Sequence, residues 1–156
     1  MGTRSGIGIV DRDIKGKVVR VRGIYCHWDG YLEHNGVILA GSYTNTDKVN
    51  ALVELGDISC LRNEVGEKHN FNNMDRDAPQ RVHGWTTAYG RDRGEQGVET
   101  RVFEGADAMS QFKKNLADAW AEYLYLYDKG KWHWCQPGDR RWKVLGAKST
   151  RVKENA

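Results

Sequence analysis

The chain has 156 residues and a formal charge of +3, with 29% charged and 39% apolar residues, six tryptophans and seven tyrosines. Such a chain suits one compact domain, expected over residues 1–146, and its composition is that of a folded protein. The small charge argues against a protein that coats long nucleic acid, and no apolar run approaches the roughly 20 residues of a spanning helix. With no secretory leader recognisable either, a cytoplasmic protein without membrane contact is expected.

In chain order, residues 7–10 and 18–25 alternate as two strands around a polar turn containing Gly16, the pattern of a β-hairpin. Residues 36–43 read as a short helix and 44–55 as a longer one. Thr44 or Thr46 is its expected cap, Asp47 suits its positive end, Val49, Leu52 and Val53 form its apolar stripe, and Gly56 ends it. Residues 62–82 show neither helical nor strand period and read as a long surface loop. Residues 84–89 and 97–103 then predict strands flanking an Arg-Asp-Arg-Gly-Glu turn. Met109, Phe112, Leu116 and Trp120 recur at helical spacing and predict a second main helix with a core-facing stripe. Residues 123–127 and 131–135 predict another hairpin, with Trp132 and Trp134 on one face and His133 on the other. Residues 141–145 add a strand, and 147–156 read as a frayed polar tail. The expected fold is α+β, an antiparallel sheet of about five to seven strands carrying two main helices.

Two runs are dense in polar and aromatic groups: Tyr25-Cys26-His27-Trp28-Asp29-Gly30-Tyr31, followed by His34-Asn35-Gly36, and Tyr89-Gly90-Arg91-Asp92-Arg93-Gly94-Glu95. In the first, Gly30 is expected to turn the chain at a strand end. Aromatic faces hold planar bases and guanidinium groups hold phosphate oxygens, so Tyr25, Trp28 and Tyr31 with Arg4, Arg91 and Arg93 match the parts of a nucleotide pocket. The competing reading makes Trp28 and Tyr31 core residues and pairs Asp92 and Glu95 with the arginines across a surface turn. His27, Asp29, His34 and Glu95 are also the groups that a metal-dependent hydrolase would use, but their spacing matches no metal-site pattern. Cys26 and His27 are adjacent on a strand and point to opposite faces, which argues against a nucleophile pair. Cys26, Cys60 and Cys135 lack any Cys-x-x-Cys spacing, so neither a disulfide framework, a structural zinc site nor another cofactor is expected.

The opening Met1-Gly2-Thr3-Arg4-Ser5, the run from Tyr25 to Gly36, the segment 48–59 with Leu55-Gly56-Asp57-Ile58-Ser59, and the run from Tyr89 to Glu95 together resemble a widespread family of small tailed-bacteriophage proteins. The resemblance spans most of residues 1–145. The sequence departs from the family at Leu32, where proline is common, which leaves the loop geometry open. The resemblance implies a phage accessory protein in the bacterial cytoplasm, similar in role to sponges that sequester host immune nucleotide signals such as the cyclic dinucleotides of the CBASS system. Its motif residues complete the expected ligand-binding set: Arg4, Ser5, Tyr25, His27, Trp28, Asp29, Tyr31, His34, Asn35, Tyr89, Arg91, Arg93 and Glu95. Binding of a small nucleotide without chemistry, in a homo-oligomer that encloses it, is the expected function. A metal-dependent nuclease or nucleotide hydrolase and a protein-blocking inhibitor of a host enzyme are the alternatives.

Overall fold

Alternating apolar residues generate the two longest strands, β1 (Ser5–Arg12) and β2 (Val18–Cys26), which pair antiparallel as expected. Gly16 turns the chain between them at φ 86°, and the Asp13 carboxylate accepts from the Lys15 and Lys17 amides at 2.9 and 3.0 Å. The computed structural model describes residues 2–146, so the expected tail at 147–156 lies outside the described residues.

A π-helical turn, Leu32–Gly36, leads into α1 (Val37–Ser42), and α2 (Thr46–Val53) follows. The cap of α2 is Asn45 and neither of the flanking threonines. Asn45 has extended backbone, φ −130° and ψ 154°, and its side chain accepts from the Lys48 amide at 2.9 Å. After β3 (Ile58–Cys60) comes the expected long loop, interrupted by a 3₁₀ turn at Gln80–Gly84. The chain continues through β4 (Thr87–Ala88), α3 (Tyr89–Arg93), β5 (Arg101–Glu104) and α4 (Ala108–Asp118). It ends with β6 (Tyr123–Asp128), β7 (Lys131–Cys135) and β8 (Lys143–Val144).

The strands form one sheet in the order β4-β3-β2-β1-β6-β7-β8, with β5 also on β2. The fold is α+β, but the antiparallel expectation is corrected: β1–β6 and β2–β3 are parallel, so the sheet is mixed, with eight strands among the described residues. Parallel partners need long crossovers, and α1 with α2 supplies one between β2 and β3. The strands expected to flank residues 91–95 do not pair with each other. β4 joins β3, β5 joins β2, and α3 lies between them, closed by Gly94 at φ 70°. The second hairpin forms as expected between β6 and β7.

Helices cover both faces. On one, Leu39 of α1 and Val49, Leu52 and Val53 of α2 pack with Ile7, Ile9, Ile24, Cys26, Tyr125, Trp132 and Trp134. On the other, Ala108, Phe112 and Leu116 of α4 pack with Val10, Val21, Leu124 and Leu126. Glycines let α4 approach: a Cβ on Gly23 would stand 2.5 Å from the Phe112 ring, and one on Gly6 would stand 2.6 Å from Leu116. Trp120 does not continue the α4 stripe. The helix stops at Asp118, and Trp120, at φ 71° and 75% exposed, reverses the chain while the Ala121 amide bonds back to the Leu116 carbonyl. Among the described residues no helix is long and apolar enough to cross a membrane.

Candidate functional site

Strand alternation divides the first motif. Cys26 points to the face covered by α1 and α2, where its thiol is fully buried and burial pushes its pKa up to about 12. Its sulfur meets the Asn35 amide at 3.4 Å, so Cys26 is neither a thiolate nor a partner for His27. Asn35, itself fully buried, also donates to Ser5 Oγ at 3.3 Å. Asn35 and Ser5 therefore tie the loop to β1 beneath the surface.

Gly30 does not supply the left-handed turn; Asp29 does, at φ 58°. Glycine is needed at position 30 for space, because a Cβ there would stand 2.7 Å from the Ser5 side chain and 2.9 Å from the Thr3 carbonyl. Tyr125 donates to the Gly30 carbonyl at 2.6 Å. Above this anchor Tyr31 donates to Asp29 at 3.3 Å, and His34 lies 2.8 Å from the Asn35 side-chain oxygen and 4.0 Å from Asp29. Trp28 and Tyr31 are not core residues, being 40% and 36% exposed.

Tyr25 points to the other face, where it packs, partly buried, against the α4 cluster, and His27 lies beside it. The Tyr25 hydroxyl lies 2.8 Å from His27 Nδ1, and the Trp28 ring meets the imidazole edge-on with centroids 4.7 Å apart. Arg4 precedes Ser5, the strand partner of Cys26, and its charge acts on both Tyr25 and His27. Burial first, and the charge of Arg4 second, lower the pKa of His27.

The second motif separates by role. Every N–H of the Arg91 guanidinium is committed: to both Asp92 oxygens at 2.9 and 3.1 Å, to the Val65 and Gly66 carbonyls at 2.9 and 3.2 Å, and to the Thr86 carbonyl at 2.7 Å. Asp92 also accepts from the Ala88 and His69 amides at 2.8 and 3.2 Å. Arg91 is thus a clamp that ties the long loop to β4 and has no donor left for a ligand. Arg93 is outside, paired with Glu95 at 2.6 Å and lying over the rings of Phe71 and Tyr89 at 4.3 and 5.2 Å. Tyr89 is half-buried, and Ser59 and Tyr25 are both within electrostatic reach of it.

The Tyr25 amide donates to the Asp57 carboxylate at 2.9 Å and the Tyr89 amide to the Asp57 carbonyl at 3.2 Å, so the two motifs come together beside β3: Arg4, Tyr25, His27 and Trp28 make one end of a shelf, and Tyr89, Phe71 and Arg93 the other. Ser5 and Asn35 anchor the first-motif loop, and Arg91 anchors the long loop. Asp29, Tyr31 and His34 cluster together in the first-motif loop. Phe71 is outside the site expected from sequence, and its one signal there is an aromatic residue inside an otherwise polar loop. The hydrolase set does not converge, since Asp29 and His34 face each other while Glu95 pairs with Arg93, and among the described residues no three His, Cys, Asp or Glu side chains gather as a metal site. Two cavities lie elsewhere, one of about 470 Å³ within the long loop and one of about 500 Å³, mostly apolar, between α1 and the β6–β7 hairpin. Neither a protein-family model, a curated protein nor a solved structure matches the chain.

Proposed function

We propose that the protein binds a small phosphate-bearing nucleotide on this shelf and holds it without altering it, as a phage accessory protein withdrawing a host nucleotide signal would. The observation that carries the reading is that Tyr25 and Tyr89, from distant motifs, both bond through their amides to Asp57, with Arg4 and Arg93 beside them. An aromatic face contributes roughly 1 to 3 kcal/mol per stacked base. The Arg93–Glu95 pair is exposed and therefore weak enough to be exchanged for a phosphate. The shelf is open, so a second copy of the chain facing it would complete the enclosure.

The test is incubation with a panel of cyclic and linear nucleotides, removal of unbound ligand, heat release and chromatography. Recovery of an intact nucleotide, reduced by Tyr89→Ala in a folded protein, is expected. A chemically altered nucleotide would make the protein a hydrolase. Retention of none would overturn the nucleotide reading and favour a protein partner.

A further inference from the structure

We infer that Arg4 and His27 form a receptor for one phosphate oxygen of the ligand, with Tyr25 as the positioning residue that decides which imidazole nitrogen carries the proton. This rests on the shelf being the ligand site.

A guanidinium has donors and no acceptor, so the positive charge of Arg4 favours the Tyr25 oxygen, and not its hydroxyl proton, on the side facing it. The hydroxyl proton is then directed to the other neighbour, His27 Nδ1, 2.8 Å away. No other acceptor for that proton stands against Tyr25 among the described residues. A neutral imidazole that accepts at Nδ1 carries its own proton on Nε2. Burial and the nearby Arg4 charge both favour that neutral form. Nε2 makes no hydrogen bond among the described residues, and the edge-on Trp28 ring confines the imidazole.

The shelf therefore presents, at one end, an Nε2–H donor beside a guanidinium. Two donors with a fixed positive charge favour a charged oxygen over a neutral carbonyl, because charge-assisted hydrogen bonds are about twice as strong. This sets the direction of the ligand: phosphate at Arg4 and His27, base toward Tyr89 and Phe71.

The experiment is long-range ¹H–¹⁵N correlation NMR of the histidine rings in the full chain, followed by titration with inorganic pyrophosphate. His27 is expected to show an unprotonated Nδ1 and a protonated Nε2, and Tyr25→Phe is expected to give a tautomer mixture with unchanged circular dichroism. Pyrophosphate should shift His27 Nε2, and Arg4→Ala should weaken that response about tenfold, as loss of one charge-assisted bond does. A protonated Nδ1 in the parent protein overturns the inference, as does a His27 signal that pyrophosphate leaves unmoved. A pyrophosphate response without retention of any nucleotide would remove the nucleotide reading and leave the oxyanion receptor standing.

Discussion

Arg91 and Asp92, neighbours in the chain, form an ion pair at 2.9 Å whose carboxylate is completely buried. Two residues on, Arg93 makes its own pair with Glu95, and both of those side chains are largely in water. The α3 turn sends one arginine inward to hold the long loop and the other outward to the shelf, so the two should behave as different kinds of residue.

Arg91→Ala should cost about 3 kcal/mol, the usual loss when one partner of a buried pair is removed and the other is left uncompensated. Arg93→Ala should change stability by less than about 0.5 kcal/mol, as exposed substitutions do, while reducing nucleotide retention. Urea denaturation of both variants, with retention measured beside it, checks the contrast. Equal stability losses would contradict the division.

Gly23 lies under Phe112 with no room for a methyl group. Gly23→Ala should destabilise the fold by about 1 to 3 kcal/mol through overpacking. Adding Phe112→Leu should recover part of the loss, since the two changes share one contact. A double-mutant cycle with no coupling would show that the ring is not what the glycine accommodates.

Trp120 takes a left-handed conformation that costs a residue with a side chain roughly 1 kcal/mol and costs glycine little, and its exposed indole forgoes little packing if removed. Trp120→Gly should therefore raise the denaturation midpoint without changing the denaturant slope. A lower midpoint would mean that the indole contributes contacts exceeding the backbone strain.

The Asp128 carboxylate accepts from Arg12 Nε and Nη2, each at 2.8 Å, and that pairing holds its pKa below the ordinary 3.8. The folded value lies below the unfolded one, so the contribution to stability is fully present above the unfolded value and disappears as pH falls through the folded one. The stability gap between the parent and Asp128→Asn should be constant near neutrality and shrink only below about pH 4, as the unfolded state begins to take up the proton. Thermal melts over that range decide it, and a gap that widens with acid would reverse the sign of the linkage.

The sequence by itself determined the elements whose information is local. The 2-residue period set β1, β2, β6 and β7, the stripe of Val49, Leu52 and Val53 set α2, and Gly16 placed the first turn. It also marked the two motifs as unusual, because aromatic, basic and amide groups are dense there for core or loop. Local pattern did not say that β1 would lie parallel to β6, since strand order and direction come from contacts between residues more than a hundred positions apart. It did not separate Arg91 from Arg93, as both belong to one polar turn until the carbonyls of Val65, Gly66 and Thr86 arrive to consume the donors of the first. Nor did it show that Asn35 and Ser5 are anchors while Tyr25 and Tyr89 share a surface. Which member of a motif is buried and satisfied, and which is left with a free face, is decided by the neighbours that folding brings from elsewhere in the chain, because a polar group leaves water only where such partners replace its hydrogen bonds.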